Sequence, residues 1–315
     1  MRSLSVTSLL NLFVFGFLPF LLGLTSSSEA RQRVLVYTKT LTFRHDSIPA
    51  AIMAVSELGN TTSPGWDTVA TEDETVAWGS AEELYQYDAL VFISTTGDVL
   101  SPAAIELTKQ YMRDGGSLVG VHAAADCVRS APWFGRAMGA FFRCHPNITD
   151  ATLNVGDATH PSVSFLTNGT WDVYDEIFTY NSNPRLLNHT VVLSIQDGSY
   201  PDDQTSNELK AQLMGTPHPL SWYKDGSSSP GDGLLDSPYQ PIGGGVDDDP
   251  SNSSMSIGSG GPGRSWYTGL GHTIETYSDP TFRQHLTGGI QWVLESKLLR
   301  SRTGNCSSPG QPLDD

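Results

Sequence analysis

The chain has 315 residues and a formal net charge of −16. That length suits one large α/β domain, or two small ones, with an ample hydrophobic core. The acidic balance argues against nucleic acid as a partner, because phosphate contacts need clustered Lys and Arg.

Residues 1–30 have the composition of a secretory signal peptide. Arg2 opens the segment, Leu9 to Leu24 is almost wholly apolar, and small residues follow as far as Ala30. We favour cleavage after Ala30, because the apolar run is short for a membrane span. The alternative is an uncleaved signal anchor. The sequence therefore predicts a secreted, extracellular protein without a stable membrane anchor.

Sequons also indicate export, and the number of cysteines is odd for an oxidising compartment. Six Asn-x-Ser/Thr sequons predict N-glycosylation at Asn60, Asn147, Asn168, Asn188, Asn252 and Asn305. Of the three cysteines, Cys127 and Cys144 both flank histidine motifs, so a disulfide between them is one interpretation and free thiols are the other. Cys306 is then left over in the polar tail 301–315.

The first half of the chain alternates predicted strands and helices. Helices are predicted from Ser47 to Gly59 and from Ser101 to Asp114, each with a proline in its first turn. The predicted strands are 33–37, 66–70, 88–93 and 118–121. This alternation predicts an α/β domain with a parallel, doubly wound sheet.

The second half is less regular. A short helix is predicted at 132–138, strands at 151–155, 190–196 and 265–269, an irregular stretch at 171–185, and a last helix from Asp279-Pro280. Residues 225–262 are rich in Gly, Ser, Pro and Asp, which predicts a disordered acidic insertion. We therefore expect one domain over residues 31–300 that carries this insertion.

The strand at 118–121 leads directly into His122 and three alanines. Small residues at such a point permit a tight strand-to-helix turn. The turn would place His122 at the carboxyl edge of the sheet, where open α/β sheets build their sites. Asp126 is predicted to follow one helical turn later on the same face.

Other polar side chains are expected near the same edge. Strand-end loops carry His45, Asp98 and His272, and the irregular middle part carries His145, Glu176 and His218. If they converge, they could bind a divalent metal such as zinc or perform acid–base catalysis on a polyhydroxylated ligand. The candidate metal ligands are His45, His122, His145, His218 and His272. The alternative is that each histidine is an ordinary hydrogen-bonded loop residue.

Eight short motifs in this order resemble one protein family. They are Phe43–Pro49, Thr95–Asp98, Gly120–Asp126, Trp133–Ala140, His145-Pro146, Asp175-Glu176, His218-Pro219 and Gly263–His272. Together they resemble the ThuA-like (trehalose utilisation) family of the class I glutamine amidotransferase-like superfamily. The resemblance implies a flavodoxin-like three-layer sheet. It also implies carbohydrate substrates, disaccharides or their keto forms, and a relation to secreted fungal members described as glycosyl hydrolases.

One departure from the amidotransferases changes the expected chemistry. Their nucleophilic cysteine follows a Gly-x pair at the strand end, and His122 occupies that position here. Glutamine hydrolysis through a cysteinyl intermediate is therefore not expected.

The resulting hypothesis is a glycosyl-hydrolase-like or related acid–base enzyme. His122 and Glu176 are the expected acid–base pair, and Asp126 is expected to orient them. The expected substrate-binding residues are His45, Asp98, His145, His218, Arg264 and His272. Trp133, Trp222 and Trp266 are candidates for stacking on a sugar. The alternatives are a non-catalytic sugar-binding protein and a metal-dependent hydrolase, and the sequence does not indicate an oligomeric state.

Overall fold

The computed structural model describes residues 31–201, 205–226 and 263–303. The predicted signal peptide 1–30, nearly all of the predicted insertion 225–262 and most of the polar tail 301–315 lie outside the described residues, as do Asn252, Asn305 and Cys306. Within the described part of the chain, no helix has both the length and the apolar character that crossing a membrane requires.

The described residues form thirteen strands. In chain order they are β1 (Gln32–Tyr37), β2 (Trp66–Thr71), β3 (Ala89–Ile93), β4 (Thr96–Gly97), β5 (Ser117–Val121), β6 (Asp126–Cys127), β7 (Phe142–Cys144), β8 (Thr149–Val155), β9 (Thr170–Asp175), β10 (Thr179–Tyr180), β11 (Thr190–Ile195), β12 (Pro219–Lys224) and β13 (Ser265–Thr268).

Five α-helices lie between these strands along the chain, and a sixth follows the last strand. They are α1 (Ile48–Thr61), α2 (Ala81–Leu84), α3 (Pro102–Arg113), α4 (Pro132–Met138), α5 (Asn207–Met214) and α6 (Pro280–Thr303). The Ser101 side chain caps α3 by accepting a hydrogen bond from the backbone N–H of Ala104 at 3.2 Å. The helices predicted from Ser47 to Gly59 and from Ser101 to Asp114 are both confirmed, as α1 and α3.

Five strands form a parallel half-sheet in the order β2-β1-β3-β5-β13. Counted along the chain, these strands have the flavodoxin-like order 2-1-3-4-5. The predicted doubly wound parallel sheet is therefore confirmed for this part of the molecule.

The same sheet continues beyond β13 with four antiparallel strands, in the order β12-β11-β8-β9. This half departs from the prediction, because β9 lies in the stretch predicted to be irregular. Its residues alternate between the protein interior and solvent, with Trp171, Val173 and Asp175 more buried than the residues between them. The period of two was present in the sequence, but a strand of this polarity is hard to recognise without its partner β8.

Both faces of the sheet are covered, so the molecule has three layers. On β1, Leu35 and Tyr37 join a core with α3 and α4, whereas Val34 and Val36 join a second core with α1 and α6. The predicted apolar stripe of the last helix, formed by Phe282, Leu286, Ile290 and Val293, packs in this second core. The flavodoxin-like three-layer fold is confirmed, with an antiparallel extension.

Candidate functional site

The centre of the site is the turn that follows β5. His122 has a left-handed backbone with φ of 54° and opens a 3-10 turn whose remaining residues are three buried alanines. Such a conformation is strained for a residue other than glycine and persists only when its surroundings hold it. The phenol of Tyr267 contributes by donating a hydrogen bond to the carbonyl oxygen of His122 at 2.8 Å.

Three imidazoles and one carboxylate converge at this turn. The Nε2 atom of His122 lies 3.1 Å from Nε2 of His45 and 3.3 Å from Nδ1 of His272. Oε2 of Glu176 lies 2.9 Å from Nδ1 of His272 and 3.6 Å from Nε2 of His122. We call these four residues the His3Glu cluster.

The protein determines which nitrogen of His122 is available. Nδ1 of His122 lies 2.8 Å from the carbonyl oxygen of Gly269, to which only an N–H can donate. In the neutral ring, Nε2 therefore carries the lone pair, and this lone pair points into the cluster.

Burial keeps two of the imidazoles neutral. It lowers the pKa of the fully buried His122 well below its ordinary value, and the neighbouring His45 lowers it further. Burial also lowers the pKa of His45 to about 4, with a smaller effect from His272 and His145. Neutral imidazole is the form that binds metal ions.

His272 differs from these two because it contacts the carboxylate directly. Burial lowers the pKa of His272, but the hydrogen bond and the charge of Glu176 outweigh that effect and raise it above the ordinary value. Asp175 and Asp46 add to the increase. His272 and Glu176 therefore form the polar side of the cluster.

Asp175 organises the backbone on that polar side. Its fully buried carboxylate accepts hydrogen bonds from the backbone N–H groups of Gly271, His272 and Glu176, at 2.9, 3.1 and 2.8 Å, and from the Thr276 hydroxyl at 3.1 Å. Burial raises the pKa of Asp175 to about 6, although these four bonds oppose the increase. One carboxylate thus holds the backbone of two members of the cluster.

His145 stands at the solvent side of the cluster. Its Nδ1 lies 3.2 Å from Oε1 of Glu176 and 2.8 Å from the carbonyl oxygen of Pro146, and its side chain is 37% exposed. Glu176 therefore contacts two cluster histidines with one oxygen and His145 with the other. His145 is the histidine of the site that a ligand in solution meets first.

The geometry of the four residues fits a divalent metal ion. One donor atom from each of His45, His122, Glu176 and His272 lies within 4.8 Å of the others. Tetrahedral zinc with ligands about 2.0–2.1 Å away has ligand atoms about 3.3–3.4 Å apart. The four contacts above, from 2.9 to 3.6 Å, bracket that separation. Nitrogen with one carboxylate is also a donor set suited to zinc and similar ions.

Two predicted site carboxylates lie elsewhere. Asp126 begins β6 instead of continuing a helix, and its Oδ1 lies 2.7 Å from Nη2 of Arg129. The 3-10 turn removes the expected one-turn relation between His122 and Asp126, and the carbonyl oxygen of Gly269 orients His122 instead. Asp98 accepts a hydrogen bond from the backbone N–H of Ser130 at 3.1 Å.

The structure also does not bring His218 or Arg264 to the cluster. Nε2 of His218 lies 2.9 Å from the carbonyl oxygen of Phe178, and the ring lines a separate cavity of about 300 Å³. Arg264 precedes β13, whereas His272 follows it, so the two lie at opposite ends of the strand. The Arg264 guanidinium donates to the carbonyl oxygen of Trp292 at 2.6 Å.

The suggested disulfide between Cys127 and Cys144 is wrong, because both thiols are free. Cys127 is buried, receives a hydrogen bond from the Thr95 hydroxyl and donates one to the carbonyl oxygen of Ala124. Cys144 lies 3.3 Å from the Thr205 hydroxyl. Burial raises the pKa of the Cys127 thiol to about 12, so it is not a nucleophile.

Sequence reasoning missed two supporting groups, Asp175 and the carbonyl of Gly269. The adjacent pair Asp175-Glu176 at a strand end was a signal, since neighbouring residues of a strand point in opposite directions and take different roles. The glycine at position 269, at the end of a predicted strand, was a weaker signal of a close backbone approach. The structure shows that approach, since a Cβ there would lie 2.5 Å from the Tyr180 hydroxyl.

Fold and site together define a class of protein: a flavodoxin-like α/β sheet with a histidine in the turn after β5 and a His3Glu cluster at the carboxyl edge of the sheet. The family model described as ThuA, trehalose utilisation, matches residues 33–293. The chain therefore belongs to the ThuA family. No curated protein matches the sequence.

Two solved structures are similar in fold. A ThuA-like protein from Bacteroides uniformis has 19% identity and a TM-score of 0.58, and the match covers 85% of this chain and 93% of that one. A ThuA-like protein from Parabacteroides merdae has 16% identity and a TM-score of 0.54, with 84% and 90% covered. At such identities the likeness shows the fold alone.

Proposed function

We propose that this protein is a metal-dependent enzyme that performs acid–base chemistry on carbohydrate, with disaccharides or their keto forms as substrates. The convergence of His45, His122, His272 and Glu176 on one point is the observation that carries the proposal. Membership of the trehalose-utilisation family supports the substrate class.

The carboxylates favour this chemistry over an ordinary glycosidase. A glycosidase of the common kind needs two carboxyl groups flanking the scissile bond. Glu176 is the carboxylate of the described cluster, whereas Asp175 accepts four hydrogen bonds and Asp126 pairs with Arg129. The described donor set therefore contains one carboxylate, whereas the two-carboxylate mechanism needs a pair.

The donor set supports a different route. A bound divalent ion supplies Lewis acidity towards a sugar carbonyl or hydroxyl oxygen and acidifies a bound water. His45 and His122, both neutral, would hold the ion through their lone pairs, and His272 and Glu176 would complete the set. His145, which contacts Glu176 and reaches solvent, is the residue we assign to moving a proton to or from the sugar.

The test compares metal content with activity. We expect the purified protein to contain about one equivalent of a divalent metal by elemental mass spectrometry, to lose it and its activity to a chelator, and to regain both with zinc or manganese. Glu176→Gln and His272→Ala should lose metal and activity. His218→Gln is the matched control, since His218 is buried and hydrogen-bonded outside the cluster.

Activity would be followed by chromatography of trehalose and of its keto derivative. Turnover that survives complete metal removal contradicts the metal role. Sugar binding without turnover in the metal-loaded protein would favour the non-catalytic alternative, and turnover of esters or amides alone would favour a metal-dependent hydrolase of another substrate class.

We also propose that the protein is secreted and N-glycosylated, as a fungal-type exported member would be. Support comes from the apolar leader and from the exposure of all four sequon asparagines in the described residues, Asn60, Asn147, Asn168 and Asn188. Expression in a eukaryotic secretory host should give a protein in the medium that begins after Ala30 and loses mass on deglycosylation. Retention in the cell without glycan would contradict this proposal.

A further inference from the structure

We propose that Phe43 is a stacking platform for one pyranose ring of the ligand. This inference rests on the proposed function and names a binding residue for it. Phe43 lies two residues before His45, and the two rings are 4.8 Å apart between centroids in an edge-to-face arrangement. Its side chain is nevertheless 61% exposed.

Hydrogen bonds hold the backbone of the loop that carries Phe43. The Thr96 hydroxyl donates to the carbonyl oxygen of Phe43 at 2.8 Å, and the backbone N–H of Leu41 donates to the carbonyl oxygen of Thr96 at 2.8 Å. Thr40 and Thr96 also form a parallel β-bridge. The ring therefore projects from a fixed loop, so a ligand that stacks on it does not have to order that loop.

Phe43 is the solvent end of a row of rings that passes through the cluster. His45 lies 4.7 Å from His122, and His122 lies 4.5 Å from Phe178, both between ring centroids. His45, His122 and Phe178 are all buried. A ligand whose polar oxygen reaches the imidazole nitrogens therefore has Phe43 as the adjacent exposed aromatic surface.

The three tryptophans that the sequence offered for this role are not accessible. Trp133, Trp222 and Trp266, which the sequence offered for stacking, are all buried in the core. By contrast, three of the seven large exposed hydrophobic residues in the described chain lie within four positions of a cluster histidine: Leu41, Phe43 and Ile274. Exposed apolar groups concentrated beside a polar site are typical of a binding surface.

The chemistry of this surface matches a sugar ring. A pyranose has an apolar face of C–H groups and a rim of hydroxyls. Phe43 presents an aromatic face to the former, while Glu176 and His145 present acceptors and donors to the latter. Small-molecule sites commonly fix the orientation of a ligand with a few polar groups beside an aromatic surface, and this arrangement is present here.

The experiment measures trehalose affinity by calorimetry on the full-length, zinc-loaded protein. We expect Phe43→Ala to weaken binding about tenfold, because the stacking and apolar contact are lost, and Phe43→Trp to restore it. Metal content and melting temperature should match the wild type in both variants. Met53→Ala is the matched control, since Met53 is equally exposed, at 62%, but lies on α1.

Equal affinity of the wild type and Phe43→Ala would overturn the platform while leaving the proposed function intact. Equal weakening in Met53→Ala would also overturn it. A wild-type protein that holds metal but binds neither trehalose nor its keto form contradicts the proposed function and removes the platform with it. A Phe43→Ala variant that loses its metal would show that Phe43 acts through His45 and not through the sugar.

Discussion

The carboxylate of Asp175 accepts a hydrogen bond from the backbone N–H of His272 at 3.1 Å, although 97 residues separate them. Glu176, which directly follows Asp175 in the chain, is held by the same carboxylate, because its backbone N–H donates to it at 2.8 Å. Two members of the His3Glu cluster are thus held by one buried side chain that does not itself face the metal position.

We predict that Asp175→Asn weakens metal binding and lowers the unfolding free energy by about 2–3 kcal/mol, since an amide NH2 replaces one carboxylate oxygen and the two donors of that oxygen lose their acceptor. Urea unfolding and zinc titration measure the two effects. Asp172→Asn is the control on the same strand, because Asp172 is exposed and accepts from the Thr152 hydroxyl. Unchanged zinc affinity in Asp175→Asn would contradict the role.

We predict that Cys127→Ala keeps full activity and changes the unfolding free energy by about 1 kcal/mol. The thiol is buried and its pKa is raised to about 12, so it carries no thiolate at neutral pH. Alkylation under non-reducing conditions, followed by mass mapping, should also find Cys127 and Cys144 unpaired after unfolding. Loss of turnover with the melting temperature preserved would instead revive a thiol mechanism.

We predict that the metal-free protein loses stability as the pH falls from about 6.5 to about 4. Burial lowers the pKa of both His285 and His189 to about 4 in the folded protein. The ordinary histidine pKa of the unfolded chain is about 6.5. Between this value and the folded pKa of about 4, the unfolded chain binds protons that the folded chain does not. The contribution of these histidines to the unfolding free energy is therefore fully present above about pH 6.5 and declines as the pH falls below it. Urea unfolding across this range should show a shallower slope for His285→Gln than for the wild type. Equal slopes would contradict the assignment.

We predict that residues 227–262 can be replaced by a short Gly/Ser linker without loss of the fold. Lys224 at the end of β12 is paired directly with Ser265 at the start of β13. Adjacent antiparallel strands need only a few residues to connect them. The melting temperature of the shortened protein should stay within a few degrees of the wild type, and failure to express it in folded form would show that the segment packs on the core.

The amino-acid sequence by itself determined the parallel half of the sheet and much of the site. Apolar runs followed by turn residues located β1, β3, β5 and β13, and parallel topology requires their carboxyl ends to share an edge. His45, His122 and His272 follow three of these strands, so their meeting could be predicted. Glu176 could be predicted as well, from its place among the short motifs.

Tertiary structure alone decided which polar side chains contact one another in and around the site. Asp126 needed a helical turn to face His122, but the backbone forms a 3-10 turn there and Arg129 takes the carboxylate. Cys127 and Cys144 are both close to histidine motifs in sequence, yet each sulfur lies against a different threonine.

The antiparallel half of the sheet was hidden for a related reason. β9 is a polar edge strand whose regularity comes from its pairing with β8, and no local signal specifies that pairing. The role of Asp175 follows from this strand, because its carboxylate meets the loop after β13 only once the sheet is assembled. Local preferences act within a few residues, whereas the hydrogen bonds that orient this site join segments about a hundred residues apart.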